Sequence, residues 1–290
     1  MASDRRGAGE DERPDPGRLS LNTATTRGKW GLAQAIDGCA RHGIRGISPW
    51  RDQLAEMGVA KAARAIRIAD LTVSGLCRGG MFPAPNARER KRAVADNLKA
   101  IDEAFALEAQ CLVLVVGGMP TGSRDLAGAR GQVRDGIAEI LPHARAAGIP
   151  LAIEPLHPMY AADRACINTV AQALDVCDAI EKKPTGALGI AVDVYHVWWD
   201  PLLAEGLRRA GKKRLLAYHI CDWLVPTRDL LLDRGLMGDG VIDLRAIRRL
   251  MERASYNGFH EVEIFSRDNW WKRDPHEVLE ICKDRYRRCS

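Results

Sequence analysis

The chain has 290 residues, 46% of them hydrophobic and 28% charged, with a formal net charge of +5. Such a composition belongs to an ordinary globular protein and excludes a disordered or fibrous chain. Its longest apolar runs, such as residues 111–116, stop well short of the roughly 20 residues a membrane-spanning helix needs, and the mild basic excess is interleaved with acids, so neither a membrane nor a nucleic-acid partner is expected.

Residues 1–17 mix both charge signs with Gly and Pro and hold no apolar stretch. They read as a solvated N-terminal tail, with a cytoplasmic location as the corresponding expectation. Residues 18–290 read as one domain in which short β-branched or Leu-rich runs alternate with segments of helical period. Eight strands are predicted, at 18–23, 44–48, 71–76, 111–116, 150–154, 188–193, 215–221 and 259–265.

Between them stand helix signals. Asn86 followed by Glu89 has the form of a capping box, and the helix it opens places Val94, Leu98, Ile101 and Phe105 on one predicted buried stripe. Asp243 opens another, with Leu244, Ile247 and Leu250 directed inward, and Asp274-Pro275-His276-Glu277 opens the last. Gly43, Gly148, Gly186 and Gly258 precede strands where helices should stop. Eight strands alternating with eight helices predict an α/β fold, a single-domain (β/α)8 TIM barrel. The rival open, doubly wound sheet lacks its Gly-x-Gly-x-x-Gly after the first strand, where the chain reads Ala24-Thr25-Thr26-Arg27-Gly28. The eight cysteines form no Cys-x-x-Cys pair, and reduced thiols are expected.

In such a barrel the chemistry sits at the C-terminal ends of the strands. Here the fifth strand ends in Glu154, the sixth in Asp193, the seventh carries His219, and the eighth carries Glu261 and Glu263. Taken singly, a buried carboxylate is more often paired with Arg or Lys, and a lone histidine is more often a satisfied core residue. Three carboxylates and an imidazole converging from adjacent strands repel unless a positive charge joins them, and a divalent ion is the economical answer. Mixed oxygen and nitrogen donors suit Mn²⁺, Co²⁺, Mg²⁺ or Zn²⁺.

The segments Ile153-Glu154-Pro155-Leu156-His157, Val192-Asp193-Val194-Tyr195-His196, Tyr218-His219-Ile220-Cys221-Asp222 and Glu261-Val262-Glu263-Ile264-Phe265-Ser266 resemble the sugar phosphate isomerase/epimerase family. This is the xylose isomerase-like TIM barrel superfamily, and the likeness runs from Arg18 onward. The resemblance implies one metal ion, Mn²⁺ in first place, held by Glu154, Asp193, His219 and Glu263. It makes Glu154 and Glu263 the acid/base pair and His196 a substrate contact. Glu261 shares its side of the strand with Glu263, which is preferred because it lies nearer the catalytic end.

Two positions depart from the ketose epimerases of that family: Val225 replaces a substrate-contacting arginine and Tyr160 a glutamate. In their place His157 is a candidate proton donor, and Trp50, Trp199 and Arg228, with Arg78, are candidate contacts for a sugar face or an anionic end. The expected function is isomerisation or epimerisation of a keto-sugar or inositol derivative. The alternative is a lyase or dehydratase of the same superfamily, acting on an inosose or a 3-keto C-glycoside. Endonuclease IV-like repair is disfavoured, because the third and fourth strand ends read Cys77-Arg78-Gly79-Gly80 and Gly117-Gly118-Met119, without histidine. The Trp-rich loops at 197–200 and 222–228 suit either a small carbohydrate or a partner subunit of a homo- or hetero-oligomer.

Overall fold

The computed structural model describes residues 13–290. The first half runs β1 (Leu19–Asn22), α1 (Leu32–His42), β2 (Gly46–Ser48), α2 (Arg51–Met57), α3 (Val59–Ile68), β3 (Thr72–Val73), β4 (Leu76–Gly80), α4 (Ala87–Ala106), β5 (Leu112–Val115) and α5 (Leu126–Ala147). The second runs β6 (Leu151–Ile153), α6 (Val170–Ile180), β7 (Leu188–Asp193), α7 (Val194–Val197), α8 (Leu203–Arg214), β8 (Leu215–Ile220), β9 (Asp222–Trp223), β10 (Arg234–Gly235), α9 (Leu244–Arg253), β11 (His260–Val262) and α10 (Pro275–Cys289).

Nine strands form one sheet in the order β3-β2-β1-β11-β8-β7-β6-β5-β4, every neighbour parallel. Its two ends meet, since Cys77 N donates to Pro49 O at 3.0 Å and Trp50 bridges to Cys77. The result is a nearly closed parallel barrel of a single domain with helices around it. Each residue of β7 is buried, as a parallel strand covered on both faces must be.

The sheet has nine strands rather than eight because the third predicted strand is broken at Ser74-Gly75. Its first piece pairs with β2 and its second with β5. The second piece also runs on to Gly80, beyond the predicted end. A Cβ at Gly80 (φ +106°) would stand 2.0 Å from Val115 O, so the strand approaches its neighbour there only as glycine.

The predicted caps of α4 and α10 form: Asn86 Oδ1 accepts from Glu89 N at 3.0 Å, and Asp274 accepts from the amides of His276 and Glu277. The predicted stripe of α4 is rotated, however. Asn97, Ala100, Ile101 and Ala104 are buried, whereas Phe105 is 61% exposed. Asn97 causes this by exchanging hydrogen bonds with Gly80 N and O at 2.6 and 2.8 Å, which clamps short side chains against β4 and turns position 105 outward. Gly43 and Gly148 close α1 and α5 in the left-handed region, but after α9 that position falls to Ser255 (φ 69°) rather than Gly258.

The first twelve residues of the predicted tail lie outside the described residues. Within its last part, residues 16–18 form a 3-10 turn, and Tyr286 Oη donates to Asp15 O at 3.1 Å, which fixes the chain against α10. All eight cysteines are free thiols, and no helix among the described residues is long and apolar enough to cross a membrane.

His260, at the N-terminal end of β11, lies among Tyr218, Tyr256 and Tyr286 with 1% exposure. Its Nδ1 meets Tyr286 Oη at 3.0 Å, while Nε2 is buried without a partner. Burial, with Arg18 and Arg248 adding to it, pushes this imidazole down to about 3. Below an ordinary value of about 6.5 the unfolded chain therefore binds a proton that the folded chain refuses, and stability falls as the pH drops from about 6.5 toward 3. The His260→Gln variant is expected to show a smaller loss of thermal midpoint between pH 7 and pH 4 than the parent. An equal loss in both proteins would dismiss this residue as a source of acid lability.

Candidate metal centre

Four adjacent strands deliver the polar cluster. Glu154 follows β6, Asp193 ends β7, His219 lies in β8 and Glu263 follows β11. The register pairs Asp193 with His219 across β7 and β8, and His219 with Glu261 across β8 and β11, which sets the side chains at one level. One donor atom from each of Glu154, Asp193, His219 and Glu263 lies within 4.8 Å of the others. All four residues are buried, at 6%, 0%, 0% and 4% exposure.

His219 Nδ1 approaches Glu154 Oε1 at 3.0 Å and Glu263 Oε2 at 3.9 Å, and its Nε2 approaches Glu261 Oε1 at 3.5 Å. None of these approaches has hydrogen-bond geometry. Both ring nitrogens and Glu154 Oε1 are thus buried without a hydrogen-bond partner. Buried groups of this kind are ordinarily satisfied, and their convergence on one point fits a shared cation.

Glu261 stands one step deeper in the barrel. Its carboxylate accepts from Asn22 Nδ2 at 2.7 Å and Ser74 Oγ at 2.8 Å. Asn22 also donates to Glu263 Oε1 at 3.0 Å and accepts from Trp50 Nε1 at 2.8 Å, so β1 orients both the cluster and its tryptophan wall.

The sequence reading missed Arg234. This buried guanidinium donates to Asp193 Oδ2 at 2.7 Å and Glu263 Oε2 at 3.1 Å, and its Nη2 lies 3.2 Å from His196 Nε2. It packs over the rings of Tyr195 and Phe265 at 4.4 and 5.1 Å. Its loop is held by Asp222, which accepts from the amides of Trp223, Gly238, Gly240 and Ile242 at 2.9–3.0 Å. Gly240 is required there, because a Cβ would meet Trp223 O at 2.1 Å.

The electrostatics leave the cluster short of positive charge. Burial opposes ionisation of Asp193, yet Arg234, with His219 beside it, outweighs this and holds that carboxyl below the usual range. Burial, with Glu154 and Asp193 beside it, pushes Glu263 up to about 8 despite Arg234 and His219. Burial also holds His196 down near 3, hence neutral. Burial opposes protonation of His219, yet Glu261, Glu154 and Glu263 hold its imidazole well above the usual range, so two cations, Arg234 and His219, face the four carboxyl groups of Glu154, Asp193, Glu261 and Glu263.

A cavity of about 120 Å³ opens over the cluster. Glu154, Glu263, His196 and Arg234 face it, with Trp50, Leu156 and Phe265 as apolar walls. Of the other candidate contacts Arg78 also lines the cavity, whereas His157, Trp199 and Arg228 do not. His157 stacks on Trp223 at 5.1 Å and meets Trp199 edge-on at 5.6 Å, outside the cavity lining. Trp199 donates to His196 O at 2.8 Å. The Arg228 side chain is 78% exposed, beside Asp233 at 3.8 Å. Tyr160 does line the cavity, but its hydroxyl donates to Leu230 O at 2.6 Å.

A polar tetrad at the C-terminal mouth of a parallel barrel defines an enzyme-like barrel architecture with a candidate metal site, and sequence comparison places the fold. The chain belongs to the xylose isomerase-like TIM barrel family, whose model matches residues 36–282. It is 25% identical over 285 residues to the inosose isomerase of Bacillus velezensis, covering 92% of this chain and 95% of that one. A crystallised protein of Sinorhizobium meliloti 1021 is 59% identical, with a TM-score of 0.92 over 95% of this chain and 99% of that one. The crystal structure of the IOLI protein with a zinc atom bound shares the fold at 19% identity, with a TM-score of 0.77 over 92% and 96% of the two chains.

Proposed function

We propose that this barrel is a divalent-metal-dependent isomerase or epimerase of a small keto-sugar or inositol derivative. The observation that carries the reading is the convergence of four buried donor atoms, with both nitrogens of His219 and one oxygen of Glu154 left without hydrogen bonds. The likeness to an inosose isomerase supports the substrate class, and the zinc-bound neighbour supports a divalent ion. Glu154, Asp193, His219 and Glu263 would hold that ion, Mn²⁺ in first place with Co²⁺, Mg²⁺ or Zn²⁺ as alternatives. When bound it supplies Lewis-acid polarisation of a carbonyl and its neighbouring hydroxyl.

The chain's own residues do the rest. Glu154 and Glu263 reach the cavity from strands separated by β7 and β8. One takes the proton from the carbon beside the carbonyl and the other returns it. His196 and Trp50 are the proposed substrate contacts, since both line the cavity, the one polar and the other flat and apolar. The lyase alternative needs a further acid for the leaving group. His157, the candidate proton donor, lies outside the cavity, and the hydroxyl of Tyr160, which does line it, is committed to Leu230 O, so neither supplies that acid.

Elemental analysis together with proton exchange tests the reading. The purified protein is expected to hold about one divalent ion per chain and to exchange the C–H beside the carbonyl of an inosose in D₂O. The His219→Ala variant is expected to bind that ion at least about tenfold more weakly, as loss of one of four ligands implies. Unchanged metal content in that variant would remove His219 from the ligand set.

A further inference from the structure

Two arginines on one wall of the cavity have no direct ion-pair partner, although Glu154 of the same cavity and Asp96 lie within electrostatic reach of Arg78. Arg78, in β4, and Arg164, in the loop after β6, both line it. Arg164 is held by its backbone, whose N donates to Tyr160 O and whose O accepts from Gly117 N, each at 3.0 Å. Its guanidinium lies 5.6 Å from the Tyr160 ring. Among the described residues neither guanidinium has a salt bridge or side-chain hydrogen bond, whereas nearby Arg51 is paired with both Asp96 and Glu103. Burial, reinforced by the charge of Arg164, lowers the pKa of Arg78, so the two cations press on one another. Like charges kept together in a partly buried wall are costly unless an anion joins them.

We infer that Arg78 and Arg164 form an anion subsite of the cavity, and that the substrate carries a carboxylate or phosphate which the two guanidinium groups share. The placement fits one molecule. Its reacting end lies over Glu154 and Glu263, its ring or chain against Trp50 and Phe265, and its acidic end on the arginine wall. Guanidinium groups suit this task because their planar donor arrays match both kinds of oxyanion. The inference rests on the proposed sugar chemistry for the identity of the rest of the substrate, but the subsite itself does not depend on turnover.

Calorimetric titration of the protein, with and without added Mn²⁺, with three unreactive probes tests it: D-gluconate, D-glucitol 6-phosphate and neutral D-glucitol. At least one anionic probe is expected to bind about tenfold or more tightly than D-glucitol, and the tighter of the two names the group as carboxylate or phosphate. In Arg78→Gln/Arg164→Gln that preference should vanish while metal content stays at the parent level. The single variant Arg164→Gln should lose part of the preference, and it serves if the double variant does not fold. Anionic probes bound no more tightly than D-glucitol, or a preference kept in the folded variants, would overturn the subsite. Failure of the isomerase reading is a separate result: no metal and no proton exchange, with the anion preference intact.

Discussion

Replacing Glu154 with Gln is expected to lower turnover by about 10³-fold or more while the protein stays folded and at least as stable as the parent. The size follows from a residue that holds one side of the proposed metal site and also moves a proton, a role worth about 10²–10⁴ by itself. The stability follows from charge. Glu154 sits 6% exposed among Asp193, Glu261 and Glu263, and its Oε1 has no hydrogen bond. Glutamine keeps the shape and removes one negative charge from a cluster of four carboxyl groups, so the relief of repulsion from Asp193, Glu261 and Glu263 outweighs the loss of the 3.0 Å contact with His219. Initial rates on an inosose, read beside thermal unfolding, make the comparison. A variant within tenfold of the parent rate would take Glu154 out of the acid/base role, and a large fall in thermal midpoint would mean that it is a structural carboxylate.

What makes the tetrad legible in the sequence is that each member lies at or within a residue of the end of a strand whose own residues announce it. Asp193 closes the run Leu188-Gly189-Ile190-Ala191-Val192, where no acid belongs without cause, and the parallel register aligns it with His219. The barrel is legible for the same reason, since period and caps are local. The parts that depend on distant chain are not. Arg234 enters the centre from β10, a two-residue strand on a loop fastened by Asp222, and nothing in the stretch Asp233-Arg234-Gly235 marks it as buried. The Gly238-Asp239-Gly240 turn that Asp222 caps is the signal that could have pointed to an ordered loop there. The packing of His157 and Trp199 is illegible for the same reason. The aromatic cluster around Trp223 draws them away from the cavity, and spacing along the chain carries no record of that packing. Phe105 shows the limit within one helix, where a single polar clamp at Asn97 rotates the buried face.

Arg234→Met separates the two ways in which the buried carboxylates can be balanced. The arginine now contacts Asp193 at 2.7 Å and Glu263 at 3.1 Å, both nearly inaccessible to water. Removing it strands two acids in the barrel, and breaking a buried pair in this way costs about 3–5 kcal/mol. For a chain of this size that is a fall in thermal midpoint of roughly 6–20 °C, measured in the presence of a chelator. The sign against pH follows from Asp193. Its carboxyl is held down chiefly by Arg234, so the parent gains stability from it above the ordinary carboxylate range and loses that gain as the pH falls through the lowered value. The variant loses this contribution at neutral pH and should show a shallower decline in acid. A divalent ion bound by the same carboxylates would replace part of the missing charge. Mn²⁺ or Zn²⁺ is therefore expected to raise the midpoint of the parent and to recover more of the variant's loss than it adds to the parent. If neither metal moves either midpoint, Arg234 and His219 already balance the cluster, and the four convergent donors are an ion-pair network with no metal in it.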